Sequence, residues 1–185
     1  MNGAPIELAA VADTPGREAA RVLITEYLNW IADAAASKYG LKFDVKAMVA
    51  SDLNDPVKFF PPSGRFYVVR SAGVYVGVGC LKRITPEVGE IQRMYLQPPA
   101  RGCGAGRRLV EHLLADAQTI GYRAVRLESL KFLVEAHALY RSVGFREIAP
   151  YMGNSMQDYQ AQEKMDRYRS SAVFMERRFA RSSGS

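Results

Sequence analysis

Residues 101 to 109 read RGCGAGRRL, and this is where the chain most plainly carries chemistry. Glycines at 102, 104 and 106 let a backbone turn tightly and present successive amide N–H groups. A helix starting just beyond adds unpaired N–H groups and a partial positive charge, which together grip phosphate. Arg101, Arg107 and Arg108 crowd the same end, where a helix ordinarily favours Asp or Glu. Their repulsion, about 0.3 to 1 kcal/mol each when unscreened, is relieved by an anion. Two phosphate motifs are excluded. No GxxxxGK precedes Ser or Thr, and the dinucleotide fingerprint fails because residue 107 is arginine where a third glycine belongs. An ordinary glycine turn with solvated arginines remains the competing reading.

The elements that must position this loop follow from hydrophobic period. IELAAV at 6–11 reads as a strand. From Pro15 the residues Ala19, Val22, Leu23, Tyr27, Trp30, Ile31 and Ala34 recur at helical spacing as far as Gly40, and a weaker helix covers 44–53. Pro56, Pro61 and Pro62 make 54–64 a loop. Segments 65–71 and 74–84 form a hairpin through Ala72 and Gly73, and EIQRMYL at 90–96 alternates like a half-buried strand, preceded by a turn at 85–89. The helix at 106–120 turns Leu109, Val110, Leu113, Leu114 and Ala117 inward and Arg108, Glu111, His112, Ala115 and Asp116 outward, ending at Gly121. A strand at 124–129 precedes a helix at 133–143 with Phe132, Ala136, Leu139 and Val143 as its core face. Strands at 145–149 and 171–179 close the chain, flanking a polar stretch, 155–169, with helical potential. The order predicts an α/β (α+β) domain over 1–180, with one mixed, mostly antiparallel sheet and helices on both faces, plus a mobile tail at 181–185.

The loop pattern Arg101-x-x-Gly104-x-Gly106, after a strand and Leu96-x-Pro98 and before an amphipathic helix, resembles the Q/RxxGxG/A pyrophosphate loop of the GNAT superfamily of N-acetyltransferases. Downstream, AHALYRSVGF at 136–145 is similar to that superfamily's AxxLYxxxGF helix. These motifs span 90–149, and the hairpin and last strand extend the likeness to 65–180. Leu133 stands where the family often has asparagine. EIQRMYLQP and FREIAPY look closer to an uncharacterised branch than to histone or ribosomal-protein acetylators.

The resemblance implies acetyl transfer from acetyl-CoA to a primary amine of a small molecule or peptide, directly in a ternary complex. It implies that Arg101 and the amides of Gly102, Cys103, Gly104, Ala105, Gly106 and Arg107 hold the pyrophosphate. Met94, Tyr95 and Leu96 would pair their backbone with the pantetheine arm, and His137 would line or border the groove. Amine attack on a thioester needs a base for the amine and an acid for the departing sulfur. Tyr140, on the helix face of Leu133 and His137 and turned from the Leu139 and Val143 stripe, is the expected acid. Glu90 is the preferred base, with Glu128 the other available carboxylate. Residues 15–53 and 151–170 are expected to wall the acceptor side. There Asp44, Asp52, Asp55, Asp158, Glu163 and Asp166 either attract a cationic amine or form a solvated face.

Composition narrows the remaining classes. The 185 residues are 48% hydrophobic and 24% charged, which suits a globular domain and excludes disorder. A net charge of +6 calls for an anionic partner, nucleic acid or a phosphorylated small molecule. The basic residues gather at 101–108 and 177–181 without an RNP-like aromatic strand, which disfavours nucleic acid. Cys80 and Cys103 make no metal or disulfide framework, and no HxxxH spacing exists, so no metal is expected. No apolar run reaches 18 residues and the N-terminus lacks a signal-peptide pattern, so a cytoplasmic protein without membrane contact is expected. A non-catalytic acyl-CoA sensor stays as the rival, and a homodimer is common in such enzymes.

Overall fold

The computed structural model describes residues 5–153 and 162–180. Asp158 and the tail 181–185 lie outside the described residues. Seven strands form one sheet in the order β1-β2-β3-β4-β5-β7-β6. They are β1 (Ile6–Ala10), β2 (Arg65–Ser71), β3 (Val74–Thr85), β4 (Val88–Leu96), β5 (Ala124–Leu130), β6 (Arg146–Ile148) and β7 (Ala172–Arg178). Every neighbouring pair is antiparallel except β4 with β5. The expected mixed sheet with helices on both faces is the one found.

Helices α1 (Thr14–Tyr39), α2 (Val45–Asn54) and α5 (Gln162–Ser171) cover one face, and α3 (Ala105–Ile120) and α4 (Val134–Ser142) the other. Helix α1 starts where the Asp13 carboxylate accepts from Gly16 N at 2.8 Å, and stops at Gly40, whose left-handed φ of 65° closes it. Its buried stripe is Ala20, Leu23, Ile24, Leu28, Ile31 and Ala35. That is rotated from the stripe read in sequence: Val22 is exposed, and Tyr27 and Trp30 stand at the edge of a groove instead of in the core. Helix α2 is capped by Asp44, which accepts from Ala47 N at 2.9 Å.

Strand β4 also departs from expectation. It begins at Val88, and residues 89–93 are all buried because helices pack on both its faces, so it does not read as half-buried. Helix α4 has a different core face as well. His137 and Tyr140 are its buried positions, with Val143 buried just past its end, while Ala136 and Leu139 are half-buried. Among the described residues, no helix is long and apolar enough to cross a membrane.

Candidate active site

The site begins with one irregularity in β4. Pairing with β3 advances two residues, Val78 to Cys80, while β4 advances three, from Tyr95 back to Gln92. Arg93 lies within this bulge with φ of +54°, a left-handed conformation rare for a non-glycine residue. The bulge changes which side chains share a face. Glu90, Gln92, Arg93 and Tyr95 turn toward α1 and α2, while Ile91, Met94 and Leu96 turn toward α3 and α4. On its other edge β4 pairs with β5 only through Val88, Gly89 and Glu90. Beyond Glu90 the two strands part, and a groove of about 700 Å³ runs between residues 91–96 of β4 and Leu127, Glu128 and Ser129 of β5.

At one end the groove meets the glycine loop. Gly102 and Gly104 have φ of 77° and 86°, and a Cβ built at either would meet nothing within 4 Å, so the loop needs glycine for conformation and its outer face is open. No side chain caps the N-terminus of α3, and its first turn holds no acidic residue. The first N–H groups of α3 therefore lack side-chain partners, as a phosphate site requires. Gly102, Gly104, Gly106 and the exposed Arg107 line the groove, and Arg107 also donates to Ser142 Oγ at 2.7 Å, tying α3 to α4. Arg101 folds back: its Nε donates to the Leu96 carbonyl at 2.9 Å and its guanidinium lies over the rings of Trp30 and Tyr95. The Ala105 side chain is buried in the core, and Cys103 is exposed with Sγ directed at the Ala100 carbonyl, 3.2 Å away. Neither residue is part of the groove wall.

Midway along the groove stands Tyr140. Its ring is 6% exposed and packs edge-on to Phe145, yet it lines the groove, and its hydroxyl makes no hydrogen bond among the described residues. The expectation that it turns away from the core is therefore corrected: it belongs to the core and borders the cleft at once. Burial, and secondarily Tyr27 nearby, push its pKa well above the usual phenol value. His137 does not line the groove. It is buried against β5, with Nε2 3.1 Å from Ser129 Oγ, and burial lowers its pKa.

The far end is walled by aromatic rings: Tyr27 stacks at 5.4 Å from Tyr95, and Trp30 sits edge-on to Phe132 at 5.8 Å. Glu128 and Arg93 line this end. Glu90, the preferred base in the sequence, is elsewhere. It is 0% exposed and absent from the groove wall, with its carboxylate accepting from Tyr151 at 2.6 Å and from Gln92 Nε2, and with Lys82 Nζ at 3.6 Å. The acidic residues expected to draw a cationic amine are largely occupied by structure. Asp52 is fully buried between Arg93 Nε at 2.5 Å and Lys58 Nζ at 2.7 Å, Asp44 caps α2, Asp55 accepts from Val57 N, and Asp166 pairs with Arg169. Sequence reasoning missed Gln92, Arg93 and the groove roles of Tyr27 and Trp30. The only available signal was an aromatic pair at spacing three on α1. Among the described residues no group of three His, Cys, Asp or Glu is placed to hold a metal.

An open mixed sheet is thus parted at its centre beside a glycine-rich helix start. The acetyltransferase (GNAT) family model matches residues 26–145, and the chain belongs to that family. It is 31% identical over 140 residues to the IAA acetyltransferase of Azospirillum brasilense, covering 75% of this chain and 84% of that one. An uncharacterised N-acetyltransferase of Escherichia coli, YjgM, is 32% identical over 123 residues, covering 64% and 74%. In fold it matches a GNAT acetyltransferase of Staphylococcus aureus Mu50 with a TM-score of 0.70 at 15% identity, covering 95% and 100%. It also matches the PaiA N-acetyltransferase of Thermoplasma acidophilum, solved in complex with coenzyme A, with a TM-score of 0.64 at 14% identity, covering 95% and 99%.

Proposed function

We propose that the protein transfers an acetyl group from acetyl-CoA to a primary amine, with both substrates bound together in the groove. The observation that carries this reading is continuity: one groove runs from the uncapped start of α3, past Tyr140, to Glu128. The loop fits a diphosphate because its left-handed glycines leave open space and its helix amides are uncapped. Residues 102–107 would hold the pyrophosphate through backbone N–H groups, with Arg107 adding charge. The edge of β4 released from β5, at Met94 and Tyr95, would pair with the pantetheine arm, since the Leu96 carbonyl is already taken by Arg101. When bound, acetyl-CoA supplies the acetyl thioester.

The protein's own groups then manage two protons. The Tyr140 phenol, held protonated by burial across the working pH range, gives its proton to the departing sulfur. Because phenolate is disfavoured there, Tyr140 regains a proton when the base passes on the one it takes from the acceptor nitrogen, which restores both groups. Glu128, not the enclosed Glu90, takes the base role, because its carboxylate reaches the groove from β5 and the Glu90 carboxylate does not. Titration calorimetry with acetyl-CoA, followed by thiol detection across a panel of primary amines, tests the proposal. Binding with amine-dependent thiol release is expected. Binding without release from any amine reduces the protein to an acyl-CoA sensor, and no binding removes the reading altogether.

A further inference from the structure

Gln92 is 6% exposed and lines both the groove and a smaller cavity of about 60 Å³ that shares its Gln92, Arg93 and Glu128 wall and is backed by Leu28, Ile31 and Met48. Its amide has only one permitted orientation. Nε2 donates to Glu90 Oε2, and an ionised carboxylate accepts but never donates, so the amide cannot be turned round. Glu90 is itself fixed, by the Tyr151 hydroxyl on Oε1 at 2.6 Å and by Lys82 Nζ 3.6 Å from Oε2. Gln92 Oε1 is thereby left without a hydrogen-bond partner among the described residues, although it is buried. Folded proteins rarely leave such an oxygen unmet unless a water or a ligand completes it. The Glu128 carboxylate lines the same two cavities from β5, and the two oxygens of a carboxylate together accept up to about four hydrogen bonds.

We propose that Gln92 Oε1 and the Glu128 carboxylate accept the two N–H bonds of the acceptor nitrogen, making the site selective for primary amines, with Glu90 as the positioning residue that keeps the Gln92 amide the right way round. This rests on the acetyl-transfer reading above. A neutral primary amine has two N–H bonds and one lone pair. With both N–H bonds held by the two oxygens, the lone pair is the remaining direction and turns toward the thioester end of the groove. An N-methyl amine has a single N–H bond; it leaves one buried oxygen unmet and presses a methyl group against it. Sites built around a buried hydrogen bond reject analogues that lack it far more strongly than apolar pockets reject a change in size.

The test is steady-state thiol release from acetyl-CoA with butylamine, phenethylamine and glycinamide, each beside its N-methyl partner. For the wild-type protein, kcat/KM for accepted primary amines should exceed that of the N-methyl partners by about 10-fold to 100-fold. Gln92→Leu should reduce that ratio to about threefold or less through the amine KM, with the Kd for acetyl-CoA within about twofold of wild type. Glu90→Gln is the second variant. It nearly preserves volume, but its own amide can donate to Gln92 Oε1 and release the orientation, so the ratio should fall although Gln92 is intact. Equal use of primary and N-methyl amines by wild type, or a full ratio in Glu90→Gln, overturns this inference and leaves acetyl transfer standing. Failure of acetyl-CoA to bind, or binding with no transfer to any amine, overturns both.

Discussion

Replacing Asp52 by asparagine should unsettle the whole acceptor side while leaving the shape of the core unchanged. Asp52 is fully buried and has two cations on it: Arg93 through Nε at 2.5 Å and Nη2 at 3.3 Å, and Lys58 through Nζ at 2.7 Å, whose side chains are themselves only 7% and 9% exposed. Asn keeps the volume, removes the charge, and turns an acceptor into a donor facing other donors. Removing one member of a buried pair costs about 3 to 5 kcal/mol, because the remaining charge is stranded. The pair also helps to hold Arg93 in its left-handed conformation, which carries a strain of about 1 to 2 kcal/mol. For a chain of this length each kcal/mol moves Tm by about 2 to 4 °C, so Asp52→Asn should melt about 6 to 20 °C below wild type. Urea unfolding at neutral pH, followed by circular dichroism, measures the free energy directly. Lys58→Met is the control: it leaves Arg93 and Asp52 as a one-to-one pair and should stay within about 1 kcal/mol of wild type. Asp52→Asn within about 1 kcal/mol of wild type, or Lys58→Met equally damaging, would refute the assignment of this triad as the clamp on β4.

Tyr140→Phe should lower kcat by about 10²-fold to 10⁴-fold, the range for general acid loss, with acetyl-CoA affinity by calorimetry unchanged; an unaltered kcat removes the proton role. Gly104→Ala has room for its methyl group but not for its φ of 86°, so the strain of about 1 to 2 kcal/mol should weaken acetyl-CoA binding by about 5-fold to 30-fold. Equal affinity would show that the loop does not grip the diphosphate. His137 has its pKa lowered by burial and then by Arg141, with Glu147 opposing. Its neutral form is the one the fold accepts, so its contribution is complete above the unfolded value of about 6.5 and declines as pH falls from there toward the lowered folded value. Urea midpoints between pH 7 and pH 5 should fall less steeply for His137→Gln than for wild type, and parallel slopes would contradict this.

What was legible in the sequence was whatever depends on neighbours along the chain. Gly40 and Gly121 mark helix ends because a left-handed residue is a local demand, and Ala72 with Gly73 marks the hairpin for the same reason. The loop at 101–109 and the Tyr140 helix were readable as motifs. What escaped depended on partners far away. Arg93 looks like a surface charge until Asp52, 41 positions earlier, is set against it. Glu90 looks like a reachable base until Tyr151, 61 positions later, closes over it. The stripe of α1 was rotated because Tyr27 and Trp30 are apolar enough to count as core, and periodicity does not distinguish a ring packed in a core from one lining a cleft.

The doubled step at Gln92 and Arg93 gives β4 one residue that it could lose without inverting. Both side chains turn to the α1 face, so deleting Arg93 would restore plain alternation with Met94, Tyr95 and Leu96 on the faces they hold now. What such a one-codon loss removes is the guanidinium on Asp52, so the strand would keep both its linings and forfeit the tie that crosses to α2.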